Sequence, residues 1–156
     1  FILGTMFRVD SRIAGDILGI TPEAYRQRLS RVRKKVAEFL KAREDVDWIC
    51  YPGLKGDKYY DRAMKYMPNG TCGVISVGLK GGTEAAARFM DRLKLAAIVT
   101  HVADARTSVL HPASHTHRQL NDQQLQEAGV DPSMIRLSVG IENAEDIIRD
   151  LEQALG

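Results

Sequence analysis

The sequence has no apolar run approaching the ~20 residues that cross a bilayer, and no signal peptide is visible in it. A membrane-spanning or secreted protein is therefore not expected. It has only two cysteines, Cys50 and Cys72, far apart and without a CxxC spacing. That excludes a disulfide-built miniprotein and predicts reduced thiols in a cytoplasmic setting. Internal repeats, low-complexity stretches and flexible linkers are also missing. What remains, over 156 residues, is 44% hydrophobic and 27% charged, an ordinary globular composition for one domain or two very small ones.

Net charge is only +2, but it is unevenly spread. Residues 1–35 hold eight Lys and Arg against three acids, a net +5, while the remaining 121 residues net −3. Clustered cations release counterions from phosphate, so a basic head hints at nucleic acid. A solvated helix face is the other reading of such a run.

Residues 1–7 read as the end of an apolar helix. Ser11 to Leu18 is a second helix, capped by Asp10 or Ser11, with Ile13, Ile17 and Leu18 predicted to face inward. Gly19 can take the left-handed conformation that ends it. Thr21-Pro22-Glu23 then supplies an N-cap, a proline at the first helical position and an early acid. Tyr25, Leu29, Val32, Val36 and Phe39 recur at spacings of four and three, which marks a buried stripe. Two helices around a glycine turn, the second one basic, describe a helix-turn-helix.

The stretch 13–33 (IAGDILGITPEAYRQRLSRVR) resembles the promoter-reading C-terminal region of bacterial sigma factors, with Gly15 in place of the commoner alanine. The resemblance implies that Pro22, Glu23, Arg26, Gln27 and Ser30 face the major groove of duplex DNA. Arg28, Arg31, Arg33, Lys34 and Lys35 would then hold phosphate. An Arg–guanine pair of this kind is worth ~1–3 kcal/mol of discrimination.

From Val36 onward the motifs change. Val46-Asp47-Trp48-Ile49-Cys50-Tyr51-Pro52-Gly53-Leu54, the run 73–82 (GVISVGLKGG), 111–117 (HPASHTH) and 135–142 (IRLSVGIE) follow one another. In that order they resemble the C-terminal domain of O-acetylhomoserine sulfhydrylases, which are Cys/Met-metabolism enzymes dependent on pyridoxal phosphate (PLP). The patterning itself gives strands at 47–51, 73–78, 108–111 and 135–140. Helices are predicted at 57–67, 83–93, 121–128 and 143–155, the last with a stripe of Ala144, Ile147, Ile148, Leu151 and Leu155. The expected fold class is α+β: a two-layer sandwich of a small sheet covered by helices. A helix-turn-helix precedes it, its second helix continuous with the first helix of the sandwich.

Along 135–140, Ile135, Leu137 and Val139 face one side while Arg136, Ser138 and Gly140 face the other. A guanidinium suits a carboxylate, and the resemblance assigns Arg136 to the α-carboxylate of the amino-acid substrate. Read without the resemblance, Arg136 is a solvent-facing strand residue. His111, His115 and His117 can be drawn as a metal cluster, but no acid or thiol completes it, and no metal is expected. Residues 78–82 (GLKGG) lack the GxxxxGK[ST] pattern and read as a strand-to-helix turn rather than a phosphate cradle.

The resemblance places the cofactor lysine, the phosphate-binding residues and the ring-stacking aromatic in a preceding large domain that these residues do not match. No cofactor and no catalysis are therefore expected of this chain alone. Residues 1–35 and 36–156 are expected as two units joined within the helix from about Pro22 to Glu44. That implies a chimera, engineered or recombined, with a natural gene fusion as the other origin. Its helix-turn-helix would retain weak DNA binding at most. The alternative function is a fragment of a sulfhydrylase-type transferase that contributes the substrate-carboxylate site. Self-association is expected through a face left by the large domain, unless Ile2, Leu3, Met6, Phe7, Ile17 and Leu18 cover it.

Overall fold

The computed structural model describes residues 11–102 and 104–156, so the helix expected at 1–7 lies outside the described residues. Helix α1 runs Ser11–Leu18 and α2 Pro22–Lys41. Between them Gly19 takes φ +64, the left-handed turn its position called for. The Thr21 hydroxyl accepts from the Ala24 N–H at 3.1 Å, capping α2 with Pro22 in its first turn. Tyr25, Val36, Ala37 and Leu40 of α2 are buried, and Val32 and Phe39 pack against the core from its edge.

The inward stripe expected on α1 is not found. Ile13, Ile17 and Leu18 are 56%, 76% and 52% exposed, and α1 buries Ala14 and Gly15 instead. A side chain at Gly15 would come within 2.5 Å of the Ile20 carbonyl. The chain re-enters α2 so closely over α1 that only its small residues fit at the contact, which turns the large ones outward. Ile17 and Leu18 therefore do not form the covering layer proposed for them. Ile2, Leu3, Met6 and Phe7 lie outside the described residues.

The remaining elements are β1 (Val46–Cys50), α3 (Tyr60–Tyr66), β2 (Val74–Leu79) and α4 (Gly82–Arg92). They are followed by β3 (Ala97–Ile98), β4 (Ser108–Leu110), α5 (Asp122–Glu127), β5 (Met134–Ser138) and α6 (Ala144–Leu155). Helix α3 starts later than the expected residue 57. The Asp57 carboxylate accepts the N–H groups of Tyr51 (2.9 Å) and Tyr59 (2.8 Å), which holds 57–59 as a turn. Strand β3 was not expected, because two residues are too few to show alternation.

The five strands form one open sheet in the order β1-β2-β5-β4-β3, antiparallel throughout except for the parallel β3–β4 pair. Its register sets Ile75 beside Leu137 and Leu137 beside Val109, with Val77 opposite Ile135. These residues make one apolar face, under which α2, α4 and α6 pack. The other face carries Trp48, Ser76, Gly78 and Arg136. The result is the expected α+β arrangement, with five strands rather than four.

A buried acid ties the helical layer to the sheet edge. Asp150 sits on the inner side of α6 at 6% exposure. Its carboxylate accepts the N–H groups of Lys94 (2.8 Å), Leu95 (3.0 Å) and Ala96 (2.9 Å). These three donors lead from α4 into β3 and have little water to turn to. Each buried polar group left without a partner costs ~1–3 kcal/mol. Asp150→Ala is expected to lower unfolding stability by about 2–4 kcal/mol, read as a drop in the urea midpoint at constant slope. An unchanged midpoint would mean the three N–H groups are solvated without it.

Candidate functional site

Strand β5 lies in the middle of the sheet, and its alternation decides which side chains reach the open face. Ile135 and Leu137 are each 1% exposed and point into the core. Arg136 therefore points the other way, between Ser76 of β2 and Leu110 of β4. It is half-buried, and its Nη2 donates to the Thr100 carbonyl. An arginine carries five N–H donors in a fixed plane. Anchoring one of them at a carbonyl orients the rest for a bidentate acceptor.

Thr107, which leads into β4, is clamped to the end of β5. The Glu142 carboxylate accepts the Thr107 N–H (2.7 Å) and hydroxyl (2.8 Å), and that hydroxyl accepts the Gly140 N–H (3.0 Å). A Cβ on Gly140 would fall 2.4 Å from the Ala105 carbonyl and 2.5 Å from the Thr107 nitrogen. Within IRLSVGIE, then, Arg136 carries the open-face charge while Gly140 and Glu142 hold its surroundings in place.

The histidines do not converge. The His111 ring is buried, with Nε2 donating to the Pro132 carbonyl (2.7 Å), which leaves Nδ1 to accept from the Ser114 hydroxyl (2.8 Å). His115 Nδ1 bonds the His111 carbonyl (3.1 Å), His117 Nδ1 the Thr116 hydroxyl (2.9 Å), and His101 pairs with Asp104 (3.0 Å). Among the described residues no group of three or more His, Cys, Asp or Glu side chains is placed to hold a metal ion. Gly78 of the GLKGG run lies under the Trp48 indole, so close that a Cβ would sit 2.1 Å from Nε1. It serves packing.

The residues expected to touch DNA divide. Glu23, Arg26, Gln27, Ser30, Arg31 and Lys34 all line one cleft of about 520 Å³ between α2 and the segment 53–71. Tyr60, Met64 and 68–71 form its opposite wall. Within it Arg26 donates to Glu23 and to the Ser11 hydroxyl (2.8 Å), and Lys34 lies 3.7 Å from Glu38. The Glu23 carboxyl is held below its ordinary range, first by its backbone N–H and then by Arg26. Arg33 is placed elsewhere, folded against Gly73 with its Nε buried and without a hydrogen-bond partner. The cleft was not legible in the sequence, because its two walls are some thirty residues apart.

The sheet and its helical layer fit the domain that the later motifs suggested, and comparison with known proteins agrees. The family described as Cys/Met metabolism PLP-dependent enzyme matches residues 25–156, and the chain belongs to it. The match begins within α2 and so includes Arg26 to Lys34. The chain is 46% identical over 122 residues to an O-acetyl-L-homoserine sulfhydrylase of Leptospira meyeri, covering 78% of this chain and 28% of that protein. It is 47% identical over 120 residues to O-acetyl-L-homoserine sulfhydrylase 1 of Thermus thermophilus, again 28% of that protein. A crystal structure from Campylobacter jejuni, described as an O-acetylhomoserine (thiol)-lyase, superposes with TM-score 0.75 at 37% identity. The match covers 83% of this chain and 31% of that one. The chain thus spans less than a third of the length of these relatives.

The described residues do not fit PLP. A lysine that forms a Schiff base is poised by a desolvated pocket or a neighbouring cation. All eight lysines of the sequence are described, and all are exposed. Among the described residues no helix is long and apolar enough to cross a membrane.

On the open face, the Trp48 Nε1–H donates to Asp131 at 3.3 Å, and Ser133 donates to the same acid through its N–H and hydroxyl, both at 2.7 Å. The Ser133 hydroxyl, more than the partial burial that opposes it, holds the Asp131 carboxyl below its ordinary range. A depressed folded-state pKa means these bonds are intact above the usual ~3.9 and are lost only as pH falls through the lower folded value. Emission of Trp48, the one tryptophan, is expected to titrate with a midpoint below ~3.9 and to lose that step in Asp131→Asn. A midpoint at or above the usual value would place the acid elsewhere.

Proposed function

We propose that this chain is the part of an O-acetylhomoserine sulfhydrylase-type, PLP-dependent transferase that grips the substrate's α-carboxylate, with Arg136 as the gripping residue. The observation that carries this reading is the placement of Arg136. It is the guanidinium of a central strand, set on the open face of the sheet and oriented by the Thr100 carbonyl. A carboxylate taken there bidentately is held in the guanidinium plane, which fixes the direction of the bond to its α-carbon. The Val99 N–H donates to the Val109 carbonyl of β4 (3.2 Å), which holds the neighbouring Thr100 beside the sheet before a ligand arrives. Family membership and the relatives' names support the substrate class.

A second reading concerns α1 and α2 as a helix-turn-helix on duplex DNA. The left-handed turn at Gly19 and the exposed Arg28, Arg31, Lys34 and Lys35 favour it. Self-association, in either reading, would run through a face left by the large domain.

The first reading is tested by titrating the 156-residue chain with O-acetyl-L-homoserine and with its methyl ester, followed by backbone NMR shifts. The acid is expected to perturb Arg136, Thr100 and Ser138, and to bind about tenfold more tightly than the ester. Arg136→Lys is expected to erase most of that difference, because a point charge does not reproduce the fork. Equal binding of acid and ester would overturn the assignment.

A further inference from the structure

We propose that Ser114 is a nucleophilic serine, activated by the His111 imidazole and able to accept an acyl group from a small activated ester. The site lies on the turn that follows β4 and is independent of Arg136 and of the function proposed above.

The local backbone brings the two side chains together. The His115 N–H reaches back to the carbonyls of His111 (3.2 Å) and Pro112 (3.3 Å), and the His117 N–H to that of Pro112 (3.0 Å). These bonds wind 111–117 into turns, where a residue and the third one after it share a face. Ser114 therefore stands over His111, with Oγ 2.8 Å from Nδ1.

The hydrogens around this contact have one consistent arrangement. His111 Nε2 lies 2.7 Å from the Pro132 carbonyl oxygen, which can only accept, so Nε2 carries the ring hydrogen. Nδ1 of the neutral ring is then a bare lone pair, and the Ser114 hydroxyl donates to it. His115 Nδ1 lies 2.9 Å from Ser114 Oγ and 3.1 Å from the His111 carbonyl. Both oxygens accept there, so His115 Nδ1 carries a hydrogen too. Among the described residues this leaves one Oγ lone pair for an electrophile arriving from solvent, to which Ser114 is exposed.

The base is braced as well as adjacent. His111 is 1% exposed, and the Pro132 carbonyl that orients it also accepts the Thr83 hydroxyl (3.3 Å). The next residue, Ser133, is held by Asp131 through its N–H and hydroxyl. A base beside a nucleophile, turned by a third group, is the arrangement that activates a hydroxyl. An exposed turn serine ordinarily bonds its own backbone or water. This one gives its hydrogen to a buried imidazole.

The step is an acyl transfer. Ser114 Oγ bonds to the ester carbonyl carbon, its hydrogen passes to His111 Nδ1, and the carbonyl π pair moves onto oxygen. The His115 Nδ1–H, already bonded at Oγ, is placed to donate to that oxygen as it gains charge. Collapse re-forms the carbonyl and breaks the bond to the leaving oxygen, which takes the proton from His111. The products are an ester of Ser114 and a free alcohol.

The test treats the whole 156-residue chain with p-nitrophenyl acetate, follows phenolate release, and maps the acetyl group by peptide mass spectrometry. A burst is expected with the acetyl group on Ser114, about a hundredfold faster than in the chain unfolded in urea. Ser114→Ala is expected to abolish it. His111→Gln is expected to slow it about a hundredfold, and His115→Ala several-fold. An unchanged urea midpoint verifies that each variant is folded. A fluorophosphonate is expected to label the native chain at Ser114, a readout that needs no substitution at the buried His111. The proposal is overturned by the absence of a burst, or by one that survives Ser114→Ala. Acetylation confined to lysines or to His115, or equal rates in native and unfolded chains, overturns it too.

Discussion

The close approach of the chain at Gly140 to the Ala105 carbonyl and the Thr107 N–H is the contact on which the open face depends. It lets the end of β5 and the segment before β4 lie against each other, and Glu142 then closes over the junction through Thr107. Because β5 is hydrogen-bonded to β2 on one side and β4 on the other, anything fixed to it is fixed to the centre of the sheet. Arg136 inherits that rigidity directly from the strand and indirectly through Thr100. A site built on a central strand and braced by a second layer of hydrogen bonds is more exactly placed than one built on a loop.

Helix α2 presents two different stripes on one cylinder. Its apolar stripe closes the core with α6 and β1, and its polar stripe makes one wall of the cleft. The unbroken stripe from Tyr25 to Phe39 suggested two units joined in register. The Cys/Met-metabolism family matches from residue 25, so most of that stripe lies within the family's own span.

The fold was legible where one face of an element is buried and the other is not. Alternation along 135–140 gave the correct facing of Ile135, Arg136 and Leu137, and the period of α6 gave its buried stripe. It failed at α1, where periodicity marked Ile13, Ile17 and Leu18, but backbone proximity at Gly15 decided which side turned inward. Asp150 was illegible for a different reason. An acid in an amphipathic helix reads as a surface residue until its three backbone donors, more than fifty positions away, are seen. The arginines of α2 were recognised as a set, but their concave setting depends on α3 and the 68–71 turn, which no local pattern reports.

The sheet ends in two strands that are poor templates. Strand β3 is two residues long, and β1 shifts register between Val46 and Trp48. An edge that is short on one side and irregular on the other gives an incoming strand few consecutive N–H and C=O groups to pair with. The sheet is thus guarded against growth by strand addition at both margins.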